Sequence, residues 1–459
     1  MKKIFYLVFI LAFGLMVTGC ERKKADVVFW HTMGKENQNV LNEIIKDFNE
    51  LHPDIKIEHQ QKGGYDELLS AIRTALPAGN EPNMSFSYTD HVAAYNSGAN
   101  IRVKELSSFI NDPTHGFTDD EKADFVESYF DEGSVYQQEG IYSLPFSKST
   151  ELMFYNKTFF DKHNLTVPKT WAETAAVAQQ IRSIIDGDAN IKDKDKVYPI
   201  GYDSAANLFI TASEQKNLPY TVIENGEGKV LFADKTKNDG TKEMMQYFDN
   251  LYTRKLFVTK QELGGSYTSD LFIEQKLFMS IGSTAGVKYN EPVDRNKEAF
   301  EVGIAPIPQF DSENVKMIQQ GPNINMFDKD EKSNLNTWKF MKFLVSPEVS
   351  AKYAAFTGYA PVRKSSYQTA VYQERLKQVT NPVPLEALKA KVAKIYEEIS
   401  QYGFVSPAFD RSSNARLEVD KVFNQLFTNK EYHEAATTAE KKLEIIQDIL
   451  EKAYNRIVY

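Results

Sequence analysis

At 459 residues the chain exceeds the length at which a single hydrophobic core stops growing, so two lobes are expected. Its 42% hydrophobic and 25% charged residues are ordinary for a soluble globular protein, and a formal net charge of -9 argues against non-specific binding to nucleic acid or anionic lipid. The single cysteine excludes an intrachain disulfide and a Cys-based zinc site.

That cysteine closes the first element. Met1-Lys2-Lys3 is basic, and Ile4 to Met16 is an apolar run of 13 residues, too short for a comfortable membrane span and right for a signal peptide. It ends in Val17-Thr18-Gly19-Cys20, which resembles the bacterial lipobox, where the cysteine is lipidated and becomes the first residue of the mature chain. An ordinary signal with a chance cysteine is the alternative. No later run approaches ~18 apolar residues, so the body is expected to be soluble and to hang from lipid.

After the charged tether Glu21–Ala25, Asp26–Trp30 reads as a buried strand. Leu41, Ile44, Ile45, Phe48 and Leu51 then recur at helical spacing until His52-Pro53. Ile55-Lys56-Ile57 is a second strand, Tyr65–Leu76 a second helix with Leu68, Leu69 and Ile72 on one face, and Met84–Tyr88 a third strand. Alternating strands and helices predict a parallel sheet covered by helices. Ligands of such sheets sit beyond the carboxyl ends of the strands. Those ends carry Trp30-His31-Thr32, the Gly63-Gly64-Tyr65 turn and Tyr88-Thr89-Asp90.

The run Ile141–Phe160 leaves this unit. Pro145 excludes a helix, the polar Ser147-Lys148-Ser149-Thr150 follows, and Leu152–Tyr155 is a short apolar strand, so the run is read as a crossing into a second lobe. There, Trp171–Ile185 is an amphipathic helix capped by Thr170, Tyr198–Gly201 a strand and Ser204–Thr211 a helix. Asp186–Lys196 is similar to a calcium loop at Asp186, Asp188 and Asn190. However, Ile191 and Val197 stand where Gly and Glu are required, so a solvated loop is expected. Lys276–Ser280 is a strand leading into Gly282-Ser283-Thr284-Ala285-Gly286, read as a second crossing. Val302–Pro308 and Asn323–Phe327 are further strands, Trp338–Leu344 is helical, and the tail from Pro384 is mostly helix.

Catalytic motifs are not found. There is no G-x-x-x-x-G-K-[ST] and no H-E-x-x-H, and Gly282–Gly286 is not a G-x-S-x-G elbow. His31, His52, His59, His91, His115, His163 and His433 make no ligand spacing with one another, and no carboxylate pair is singled out. Neither metal nor cofactor is expected.

Behind the signal, the segments VVFWH, EGIYSLPFSKSTELMFYNKTFF, VPKTWAE, GSTAG, IAPIP, QQGPN, WKFMKFLVSPE and TGYAPVR occur in that order. Together they resemble the family 1 extracellular solute-binding proteins of ABC importers, over essentially the whole mature chain. The resemblance implies an α/β, two-lobed, periplasmic-binding-protein-like fold (type II) with the ligand cleft between the lobes. It implies a first lobe of residues 25–146 and 284–338 and a second of 147–283 and 339–459. Within the family the glycerol-3-phosphate receptors are the most similar, through FWHTMGKE, the Gly-Gly-Tyr turn and the Gly-Asn-x-Pro loop before strand three. Their pocket, carried across position by position, falls on Tyr65, Ser149, Ser283, Gly321, Tyr359 and Arg416, with Arg411 competing for the last place. Where those receptors carry a glutamate this chain has Thr89, with Asp90 beside it, and two tryptophans are replaced near Ala206 and Phe209. The glycerol end of the ligand is where this chain departs. Each residue also has a plainer reading: Tyr65 as a helix cap, Tyr359 as core, Ser149 and Ser283 as partners of backbone in bends, Gly321 as a turn, and Arg416 as an exposed i,i+4 partner of Asp420.

The resemblance thus implies a monomeric, extracytoplasmic receptor, anchored through acyl chains (palmitate) on Cys20. It would capture a small hydrophilic solute, glycerol 3-phosphate or a related phosphorylated polyol or glycerophosphodiester, for the transmembrane subunits of an ABC permease. A neutral mono- or oligosaccharide is the alternative ligand, and a secreted carbohydrate-active enzyme the alternative class.

Overall fold

Strand and helix alternate as the apolar spacing predicts. The computed structural model describes residues 25–98, 101–292 and 300–458, so Cys20 and the expected signal peptide lie outside the described residues. Strand β1 (Val27–His31) is followed by α1 (Lys35–Leu51), β2 (Ile57–Gln61), α2 (Tyr65–Ala75), β3 (Met84–Ser87) and α3 (Thr89–Tyr95). Helix α1 buries Leu41, Ile44, Ile45 and Phe48, the expected stripe, and is capped by His52. Pro53 disfavours helical backbone at that residue. Strand β1 runs parallel to β2 and β3, as helical crossovers require. Strand β2 begins later than expected, because Ile57 is the residue that pairs with Val27. Two later segments, β4 (Leu144–Pro145) and β13 (Asn323–Met326), complete the sheet in the order β2-β1-β3-β13-β4.

The second sheet has the order β11-β5-β10-β6-β9, from β5 (Glu151–Asn156), β6 (Tyr198–Tyr202), β9 (Phe257–Thr259), β10 (Leu277–Ser283) and β11 (Val302–Pro306). Thr170 caps the helix Trp171–Gly187, accepting from the Glu173 N–H while Glu173 reaches back to the cap. Such a cap contributes about 1 kcal/mol. The hairpin of β7 (Thr221–Glu224) and β8 (Glu227–Val230) stands apart from both sheets, as does the pair β12 (Met317–Ile318) and β14 (Gly403–Phe404). Each sheet has its own core, with Phe29, Phe86 and Trp338 in the first and Phe154, Ile200 and Met279 in the second. Among the described residues no helix is long and apolar enough to cross a membrane.

Three expectations about the path of the chain are corrected. Backbone pairing of β11 with β5 puts Val302–Pro306 in the second lobe rather than the first. Conversely, the first core extends past residue 338, because the helices Glu331–Leu344 and Pro347–Phe356 bury Phe340, Met341, Leu344, Val349 and Tyr353 in it. The Gly282–Gly286 segment is not a crossing. Ser283 Oγ accepts from the Ala285 N–H at 3.2 Å, and the chain returns through β11 to the same sheet. The second crossing comes at Gln319–Pro322, between β12 and β13.

The crossings are tied side by side. Lys148 in the first exchanges backbone hydrogen bonds with Ala360 (3.1 and 2.7 Å), and Ser149 exchanges them with Gln320 (2.8 and 2.8 Å). Lys148 is fully buried, and its Nζ donates to Glu132 Oε2 and to Asn323 Oδ1, each at 2.8 Å. Asn323 Nδ2 donates to Glu132 Oε1 at 2.8 Å, and Gln319 Nε2 to Glu132 Oε2 at 2.5 Å. Gly321 holds φ at +106°, and a Cβ there would stand 2.3 Å from the Ser147 carbonyl, so only glycine lets the two crossings pass.

Candidate functional site

A cleft with an empty volume of about 610 Å³, mouth included, lies between the lobes. One wall is the start of α3, where Tyr88 is the extended cap and Thr89 and Asp90 form the first turn. The positive end of the helix dipole favours the Asp90 carboxylate there. The second crossing supplies Ile318, Gln319 and Gln320, with Glu132 beside them. The opposite wall is built from Ile210 of the helix Ala205–Gln215, Tyr220 and Thr221 at the start of β7, and Arg416 of the helix Ser412–Phe427.

Arg416 is the distinctive group. Its Nη2 donates to Asn207 Oδ1, and among the described residues no carboxylate lies within ion-pair distance of it. The i,i+4 alternative is not made, because Asp420 accepts from the Ala206 N–H at 3.0 Å and from Gln261 Nε2 at 2.7 Å. Arg411 turns elsewhere: its Nη1 donates to the Val458 carbonyl at 2.7 Å. Asn207 and Gln320 form a reciprocal amide pair at 3.0 and 3.1 Å across the crossing. Asn207 Nδ2 also donates to Glu151 Oε1 at 2.7 Å, and the Tyr202 hydroxyl to Glu151 Oε2 at 2.5 Å. Burial pushes the Glu151 carboxyl up to about 7, against the pull of those hydrogen bonds and of Arg416.

On the first-lobe side the Tyr65 ring stacks on Tyr88, with centroids 4.0 Å apart. Burial raises the pKa of both Tyr65 and Tyr88, with the neighbouring Tyr359 adding to the rise, and burial alone lifts Tyr359 itself to about 12. All three therefore stay neutral hydroxyls, able to donate and to accept. His91, 4.0 Å from Asp90, is held toward its neutral form by burial.

The eight expected residues fall in three places. Thr89, Asp90 and Arg416 line the cleft. Tyr65 and Tyr359 stand behind Tyr88, half-buried against the first core. Ser149 and Gly321 lie in the paired crossings, and Ser283 caps the turn whose Thr284 N–H donates to the Thr150 carbonyl at 2.8 Å. Ala206 and Phe209 are buried in the second core, and the next residue of that helix, Ile210, reaches the cleft. Sequence reasoning missed Glu132, Asn207, Tyr220 and Gln320, which carry no spacing signal. Only the tertiary fold brings them together. Among the described residues no group of three or more His, Cys, Asp or Glu could hold a metal ion.

Comparison with known proteins fits this geometry. The model of the bacterial extracellular solute-binding protein family matches residues 43–380, and the chain belongs to that family. It is a solute-binding protein. The sn-glycerol-3-phosphate-binding periplasmic protein UgpB of Escherichia coli (strain K12) is 26% identical over 386 residues, 80% of this chain and 81% of that one. In structure the chain is similar to UgpB from Mycobacterium tuberculosis in complex with glycerophosphocholine, with a TM-score of 0.70 and 18% identity over 95% of this chain and 100% of that one. The GacH receptor of Streptomyces glaucescens, determined unliganded and with acarbose, gives a TM-score of 0.69 and 16% identity over 94% and 98%. The two-lobed architecture is that of these binding proteins.

Glu151 gives a pH test. Its folded pKa of about 7 lies above the ordinary 4.5, so between those values the folded chain holds a proton that the unfolded chain releases. Stability is therefore lost as pH rises through this window, by on the order of 2–3 kcal/mol. Glu151→Gln, permanently neutral, should gain that amount on wild type between pH 5 and pH 8 in urea unfolding. A stability difference constant with pH would contradict the assignment.

Proposed function

We propose that this chain is a lipid-anchored receptor of an ABC importer. It captures glycerol 3-phosphate, or a related phosphorylated polyol or glycerophosphodiester, and presents it to the transmembrane subunits of a permease. The observation that carries this reading is Arg416, a guanidinium on the cleft wall, fixed by Asn207 and left without a carboxylate. Its planar fork suits two oxygens of a phosphate, and a charge-assisted hydrogen bond is about twice as strong as a neutral one. Asp90 and the tyrosine hydroxyls take the polyol. Ser149, Ser283 and the Gly321 N–H complete the site as the lobes draw together, which requires only that the solute bind the closed form better than the open one. The glycerol-3-phosphate-binding relatives support the phosphate, and the expected lipobox at Cys20 supports the anchor.

A neutral saccharide is the second reading. The Tyr65–Tyr88 stack favours it, since tyrosine faces pack on sugar rings, and so does the acarbose-binding GacH receptor.

Titration calorimetry separates the two. Arg416→Lys should weaken glycerol 3-phosphate by roughly 1.5–3 kcal/mol and leave a maltodextrin unaffected. A wild type that binds only the maltodextrin would refute the phosphate reading and leave the receptor reading standing. Cys20→Ala should release the protein from the membrane fraction or leave it unprocessed, because acyl chains supply the attachment. A processed, lipid-free variant that stays membrane-bound would remove the anchor from the account.

A further inference from the structure

The hairpin of β7 and β8 belongs to neither large sheet, yet it touches both lobes. At its base, Tyr220 and Thr221 line the cavity. The Thr221 hydroxyl is buried and has no hydrogen-bond partner, an arrangement that costs about 1–3 kcal/mol unless something fills it. Tyr220 is held from behind by Phe232, with the rings near-parallel at 6.2 Å, and by Phe209, edge-on at 6.2 Å. Its hydroxyl feels the charges of both Arg416, on its own lobe, and Asp90, on the other. At the tip, Gln137 Nε2 of the first lobe donates to the Gly226 carbonyl at 2.8 Å. Further down, Gly228 lies flat on Phe409, where a Cβ would fall 2.0 Å from the ring, so this contact seats the hairpin in one position.

A two-stranded hairpin has little stability of its own in water. This one is placed by Phe409 and by the bond from Gln137, and its base puts Thr221, with its buried and unpaired hydroxyl, in the lining of the cavity.

We propose that the hairpin Thr221–Val230 is the outer wall of the solute site. In it Thr221 and Tyr220 bind a hydroxyl of the solute, and the Gln137–Gly226 bond latches the wall to the opposite lobe. The inference rests on the reading of the cleft as the solute site, but not on the solute carrying a phosphate. It assigns the hydroxyl-bearing end of the solute to residues outside the pocket expected from the sequence.

Three measurements test it on the full chain. The first needs no solute: hydrogen exchange of the amides in residues 221–230 should speed up several-fold in Gln137→Ala, while amides of β6 and β10 stay as in wild type. Unchanged exchange in the hairpin overturns the latch. The second is calorimetry with glycerol 3-phosphate, propyl phosphate and maltotriose. Thr221→Val should lose roughly tenfold in affinity for whichever hydroxylated probe wild type binds, Thr221→Ser should restore it, and propyl phosphate should not respond. In stopped-flow experiments Gln137→Ala should release that probe several-fold faster at an unchanged on-rate. Equal affinity of wild type and Thr221→Val for the hydroxylated probe overturns the contact, as does a wild type that binds propyl phosphate as tightly as glycerol 3-phosphate. Binding of maltotriose alone, with loss in Thr221→Val, upholds the wall and refutes the phosphate reading. A wild type that holds none of the three overturns both.

Discussion

The buried pair of Lys148 and Glu132 is the constraint on which the two-lobed arrangement depends. Moving either charge out of water costs several kcal/mol even after relaxation, and Coulomb attraction repays this only when the remaining donors and acceptors are also satisfied. Here they are: Asn323 and Gln319 take up the rest of the Glu132 carboxylate, and Asn323 also accepts from Lys148. Because Lys148 sits in the first crossing and Gln319 and Asn323 flank the second, satisfying the charges requires the two crossings to lie together. Removing one partner would leave the other as an unpaired buried charge, a loss of about 3–5 kcal/mol. The backbone pairing of Ser149 with Gln320 then sets the register between the crossings, and that of Lys148 with Ala360 ties the first crossing to a third segment.

Set against this neutralised centre, the cleft beside it keeps its charge. Arg416 is held by an amide oxygen rather than a carboxylate, so its position is fixed and its charge stays available. The same Asn207 pairs with Gln320 of the second crossing, so the residue that aims Arg416 is itself aimed by the crossing. Glu151 behind them is pushed toward its protonated form, which limits how much negative charge lies near the guanidinium. The Arg416 guanidinium and the lobe geometry are thus coupled through three side chains.

Much of this fold was legible in the sequence, because helical stripes such as Leu41, Ile44, Ile45 and Phe48, and short apolar strands, are local signals. The path between lobes was less so. Gly282-Ser283-Thr284-Ala285-Gly286 has the composition of a crossing, but composition does not say which sheet the next strand joins, and β11 returned to the second. Of the site, Thr89, Asp90 and Arg416 were readable as cleft residues through the ends of strands and the family pattern. Glu132, Asn207 and Gln320 were not, since each matters through a partner far along the chain. Asn207 and Gln320 are 113 residues apart, and Lys148 and Asn323 are 175 apart. The choice between Arg416 and Arg411 likewise needed the turn before the helix, where Arg411 sits at φ 74° and faces away.

The account is tested most directly by a crystal structure of the protein grown with glycerol 3-phosphate. It predicts the phosphate within hydrogen-bonding distance of the Arg416 guanidinium, with Asn207 still on Nη2 and the Lys148–Glu132 pair intact. A phosphate bound elsewhere, or Arg416 swung onto Asp420 with the solute held by other groups, would contradict it.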